Sequence, residues 1–227
     1  TQAHVGNRVC QIQIAGLWRR ACGVQPRRTD SIAQERFGQV GSRRQGQKHQ
    51  TRLTAMRIAP IPPGTRPELA AQEAQITAAR GRVSPLYQVL LNSPPVAHGW
   101  EQMLSAVRNH NSIPADLREL VILRVAVLNR ANYEFDAHAP IALAAGVSQA
   151  AVDATRQEPI PASAPLSPEQ RVALQLTDAM TRDIEVPDAL YAEVRKYFSA
   201  QGQIDLVATV AAYNMVSRFL VALHIGH

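Results

Sequence analysis

Cysteine is nearly absent: two occur in 227 residues, Cys10 and Cys22, and none follows. A disulfide framework, a CxxC redox pair and a cysteine-based zinc site are therefore excluded from everything after residue 22. Long apolar runs are missing as well. None approaches the roughly 18 to 20 uninterrupted residues that cross a bilayer, so no membrane partner is expected. Glycine is scarce inside the periodic segments, and no stretch alternates apolar with polar residues as a half-buried strand would.

Acidic residues are scarce at one end only. Residues 1–55 hold ten of the 24 Lys and Arg but two of the 18 Asp and Glu, a local charge of +8. Residues 56–227 keep the other 14 basic and 16 acidic side chains, a charge of −2. The basicity thus belongs to the first 55 residues, and no nucleic-acid groove is expected on the rest. Residues 1–55 show no sustained period and read as a basic, disordered leader outside the natural protein, with Met56 as the natural start. The same Arg-rich, acid-poor composition also fits an organelle transit peptide. A secretory signal is disfavoured because Gln11 and Gln13 interrupt the stretch from Val9 to Trp18, which leaves a cytoplasmic location as the expectation.

What is present is helical periodicity. Pro60, Pro62 and Pro63 predict an extended lead-in. Pro67 to Arg80 reads as a helix with proline in its first turn and Gly81 beyond its end. Ser84-Pro85 and Ser93-Pro94 repeat the cap-then-proline start, for helices through Leu91 and Asn109. The spacing predicts further helices over Leu117 to Leu128, Asn132 to Ala145 with a kink at Pro140, and a short one from Ser148 to Arg156. A Pro-rich connector at 158–168 follows. Ser167-Pro168-Glu169-Gln170 is a capping box that opens a helix to Arg182. Pro187 to Phe198 and Gln203 to Leu223 complete an all-α chain of eight or nine helices, with residues 56–227 as its folded domain.

Charge inside the most apolar helix singles out the candidate site. DLRELVILRVAVL carries Glu119 in a run that otherwise reads as core, and a buried carboxylate is costly unless it is paired. The next helix sets Glu134 and His138 four residues apart on one face. A short turn at Asn129 to Asn132 makes the two helices antiparallel neighbours, so all three groups can meet across the interface. Imidazole with partly buried carboxylates is the combination that general acid–base work requires. The plain alternative is a solvated Glu–His pair on a helix surface. A carboxylate–imidazole metal site is the third, but His98 and His110 do not fall in a ligand spacing and no metal is expected.

The segment LRELVILRVAVLNRANYEFDAHAPIALAAGVS, with YNMVSRFLVAL near the end, resembles the carboxymuconolactone decarboxylase family, whose other branch is the alkylhydroperoxidase D-like proteins. The resemblance implies an all-helical fold assembled as a homo-oligomer: dimer, trimer or hexamer. The peroxidase branch has a CxxC pair, a histidine four residues after the second cysteine and a glutamate on the preceding helix. Here His138 and Glu119 match, but Ala131 and Glu134 stand at the cysteine positions, which removes dithiol peroxide chemistry. The decarboxylase branch fits the Tyr-Glu-x-x-x-His motif at 133–138 better, and its reaction, as the resemblance implies it, needs no cofactor. The expectation is a cofactor-free lyase acting on a small carboxylated lactone or related compound. His138 is then the general acid, Glu134 the group sharing its proton, and Glu119 the support behind them. Arg124 and Arg130 are candidates for holding a substrate carboxylate, and Tyr133 and Trp100 for lining the pocket. The competing expectations are peroxidase-like activity by a thiol-free route and a non-catalytic oligomeric binding protein.

Overall fold

A computed structural model of the chain describes residues 55–226. The basic leader and its two cysteines lie outside the described residues, apart from Ala55 at its edge. Among the described residues there are nine α-helices, one 3-10 turn and no strand.

The chain enters through an extended proline-containing stretch whose backbone is tied at both ends. Arg57 donates to the carbonyl of Leu223 (3.0 Å) and Ile61 to that of Gln88 (3.0 Å). A 3-10 turn at Pro67–Leu69 leads into α1 (Ala70–Arg80), so the proline start expected of one helix is a tighter turn preceding it. Gly81 closes α1 at φ +78°, a backbone that side chains with a Cβ resist. Then come α2 (Pro85–Leu90) and α3 (Pro94–Asn109), both opened by proline in the first turn.

The centre of the molecule is α4 (Ala115–Leu128). Nine of its 14 residues are buried, all round the helix rather than along one stripe. It packs against α5 (Asn132–Ala144), α7 (Pro168–Arg182) and α9 (Ala200–Leu223). Pro140 lies inside α5 without ending it, on the exposed side. Between α5 and α7 sits the short α6 (Gln149–Ala154), capped by the Ser148 hydroxyl, which accepts from the Ala151 N–H.

The capping box at Ser167 and Gln170 is formed in both directions, at 3.1 and 3.0 Å. After α8 (Asp188–Tyr197), α9 begins at Ala200, because the Ser199 hydroxyl accepts from Gly202 and adds a turn ahead of the expected start at Gln203. By length and mean hydropathy (1.6) α9 could span a bilayer. Its buried face is partly polar, however. Asn214 and Ser217 both accept from Asn129 at the end of α4, at 2.9 and 2.7 Å, and Asn214 donates to Thr181 of α7. That network locks α4, α7 and α9 in register.

Candidate active site

A turn of three residues joins α4 to α5, with Arg130 at φ +58° and the N–H of Ala131 returning to the Ala126 carbonyl at 2.8 Å. The reversal makes the helices antiparallel and carries His138 back to the level of Glu119. The imidazole Nδ1 lies 2.6 Å from Glu119 Oε2, and its Nε2 lies 3.3 Å from Glu134 Oε1. All three residues are buried, with 1% of Glu119, 6% of Glu134 and 5% of His138 exposed. The surface-pair alternative is therefore excluded for this site, since a solvated pair would remain open to water.

The two contacts are unequal. Glu119 makes a short hydrogen bond and is backed on its other oxygen by Arg118, 3.9 Å away. Glu134 stands farther from the ring and lines a cavity, as does His138. Burial presses the imidazole pKa down, but the hydrogen bonds and charges of Glu119 and Glu134 outweigh it, so the net shift is upward from 6.5. His138 therefore holds its second proton more firmly than a free histidine, and the carboxylate on its Nδ1 side fixes the ring. Because the carboxylates occupy opposite ring nitrogens, the three side chains do not converge on one point as ligands of an ion would. Among the described residues no other group of His, Cys, Asp and Glu does so either.

The cavity, about 350 Å³, lies between α1, α2, α3, α5 and α9. One wall is the face of α3 that carries Trp100, Leu104 and Arg108 at four-residue spacing. Tyr133 and Trp100 line it. The edge of Tyr213 meets the His138 ring, centroid to centroid 5.3 Å and nearly perpendicular. Tyr133 is pinned from behind by the C-terminal turn: Gly226, at φ +79°, comes so close that a Cβ there would fall 2.0 Å from the Tyr133 ring.

Arg124 and Arg130 do not enter this cavity. Arg124 is 0% exposed and its guanidinium is fully engaged elsewhere, by both oxygens of Asp178 (2.5 and 2.7 Å) and the carbonyls of Thr155 and Gln157 (2.8 and 2.9 Å). It is a structural pin for the connector, and its guanidinium is spent on Asp178 rather than on the cavity. The reason is angular: five residues beyond Glu119, it leaves the helix about 140° away from it. Arg130 sits exposed in the α4–α5 turn.

Three other arginines supply the positive charge: Arg80, Arg82 and Arg108 all line the cavity. Arg80 is held through Nε by Glu101 (3.0 and 3.1 Å), whose carboxylate also accepts from the Tyr87 hydroxyl. Its Nη2 is buried and has no hydrogen-bond partner, and the same is true of Trp100 Nε1. Buried donors left open at the wall of a cavity call for an acceptor from a guest. Sequence reasoning missed these arginines because they come from segments far from the motif. The one available signal was the Trp100–Leu104–Arg108 stripe.

The model of the carboxymuconolactone decarboxylase family matches residues 94–179, which contain Glu119, Glu134 and His138. Over that stretch the chain resembles the carboxymuconolactone decarboxylase family. Its fold is that of two uncharacterized peroxidase-related proteins. The alkylhydroperoxidase AhpD core protein of Ralstonia eutropha JMP134 has TM-score 0.64 and 16% identity, covering 76% of this chain and 92% of that one. The protein of Silicibacter sp. TM1040 has TM-score 0.64 and 19% identity, covering 79% and 94%. The debrominase Bmp8, solved with 2,3,4-tribromopyrrole, is also similar, with TM-score 0.62 and 16% identity over 74% and 89%. At these identities the likeness concerns the fold. No curated protein matches the sequence.

Proposed function

We propose that this chain is a member of the carboxymuconolactone decarboxylase/AhpD-like superfamily and a thiol-free acid–base enzyme, a cofactor-independent carboxy-lyase acting on a small carboxylated lactone or related enolisable acid. The observation that carries this reading is the unequal clamp on His138: tight at Nδ1 against buried Glu119, loose at Nε2 beside Glu134 and an arginine-flanked cavity.

The chemistry balances without a further reactant. The bond between the substrate carbon and its carboxylate breaks, CO2 leaves, and the electron pair moves through a conjugated double bond into a carbonyl, giving an enolate. His138 delivers its Nε2 proton to carbon, and solvent reprotonates the ring by way of Glu134. Glu119 touches no guest and acts through His138, holding the ring and favouring its protonated form. Arg80, with Nη2 open, and Arg82 and Arg108 favour an anionic guest in a cavity that already contains a carboxylate. The peroxidase alternative finds no thiol here, since Ala131 and Glu134 occupy the relevant positions.

The test is release of CO2 from a panel of carboxylated butenolides and β-keto acids. Turnover by the wild type that falls about 10²-fold or more in His138→Gln, with the helical fold intact, is the expected result. Ligand binding without turnover in either protein would instead favour the non-catalytic binding module.

A further inference from the structure

Tyr213 is the one cavity-lining phenol in direct ring contact with His138, and nothing in the proton relay uses it. It is 2% exposed, yet its hydroxyl takes part in no hydrogen bond among the described residues, while those of buried Tyr87 and of Thr155, Thr177 and Thr209 all donate to an oxygen. Unlike Arg80 Nη2 and Trp100 Nε1, this hydroxyl is not sealed away from solvent, so its donor is open to a guest. The surface it lines is the cavity.

Its position along the wall is set by how α3 and α9 run. Trp100 meets Phe219 with ring centroids 5.0 Å apart at one end of the pair, and Asn111 reaches Thr209 at 3.4 Å at the other. The helices are therefore antiparallel, and Tyr213 stands level with Arg108, about 12 Å along α3 from Trp100. Arg108 makes no ion pair among the described residues and lines the same cavity. A neutral donor and a cation thus share the cavity wall with the acid.

We propose that the Tyr213 hydroxyl, with Arg108 beside it, receives the oxygen on which negative charge develops, while His138 protonates carbon. This rests on the acid–base reading of the site and names the group that stabilises its intermediate. An oxygen that gains charge in the transition state is served by a donor already held in place, as the Tyr213 ring is by its contact with the imidazole. Burial raises the phenol pKa, with Arg108 opposing it as the largest charge effect, so the hydroxyl keeps its proton and donates. No bond to Tyr213 forms or breaks; the enolate oxygen accepts its hydrogen bond and releases it when the carbon is protonated.

The test uses Tyr213→Phe, which preserves the ring and its contact with His138. An enolate is mimicked by 4-nitrophenolate, and nitrobenzene supplies the same ring without the oxyanion. The variant is expected to bind 4-nitrophenolate about 10- to 100-fold more weakly than the wild type with nitrobenzene binding unchanged, as loss of one hydrogen bond to a charged group requires. Where turnover is found, kcat falls about 10²-fold with KM nearly constant. Equal 4-nitrophenolate affinity in both proteins, or wild-type binding no tighter than that of nitrobenzene, overturns the assignment. If His138→Gln abolishes CO2 release while Tyr213→Phe retains it, Tyr213 is wrong and the lyase reading stands. If no acid on the panel is decarboxylated, the lyase reading fails and the nitrophenolate comparison still decides Tyr213.

Discussion

Glu119 and His138 are 19 residues apart in sequence and 2.6 Å apart in space, and the carboxylate lies on the closed side of the ring, away from the cavity. It therefore governs how strongly the imidazole holds a proton without competing for a guest.

Replacing Glu119 by Gln keeps the side chain's shape but removes one of the two carboxylates that raise the His138 pKa, leaving Glu134 alone to oppose burial. The alkaline limb of kcat/KM against pH is expected to move to lower pH, and activity at neutral pH to fall with it. A limb that stays in place would show that His138 is not the group titrating.

The same pair couples protonation to folding. The folded pKa of His138 lies above its ordinary 6.5, so the clamp's contribution is fully present below 6.5 and is lost as pH rises through the folded value. Thermal melts of the wild type should show this alkaline decline, and His138→Gln should not.

Arg80→Gln removes the open Nη2 donor and one cavity charge. For an anionic substrate KM is expected to rise about tenfold or more, with kcat less affected. Steady-state kinetics with one turned-over acid measures this, and an unchanged KM would move the carboxylate to Arg82 or Arg108.

Arg124→Met should leave KM alone and destabilise the fold by about 3 kcal/mol in urea unfolding, the low end for a broken buried pair because Asp178 keeps 30% of its side chain exposed. This prediction separates the pin from the site.

Gly226→Ala forces a Cβ toward Tyr133 in a backbone that disfavours one. It should cost more stability in the wild type than in a Tyr133→Ala background, a coupling that a double-mutant cycle reads directly.

The cluster of Glu119, Glu134 and His138 was legible because it breaks a rule: a glutamate in a helix buried all round must have a partner, and the next helix offered His138, four residues after Glu134. Helix boundaries were legible from adjacent residues, proline in the first turn after Ser84 and Ser93 and hydroxyl caps at Ser148 and Ser167. Arg124 misled by proximity to the motif, although its five-residue offset from Glu119 already pointed it to another face. Arg80 and Tyr213 were invisible because they come from α1 and α9, and only tertiary packing brings those surfaces to α5; Arg108 showed only through its stripe with Trp100 and Leu104 on α3.

Arg124 has a counterpart in Arg171, which donates to the carbonyls of Pro161, Ala162 and Ala164 at 3.0 to 3.1 Å. Together the two guanidiniums grip the linker between α6 and α7 by main-chain oxygens, and every amino acid offers the same main-chain oxygen. The route of that linker is thus held firm while the side chains along it are free to drift, so two relatives could share its path and hardly a letter of its spelling.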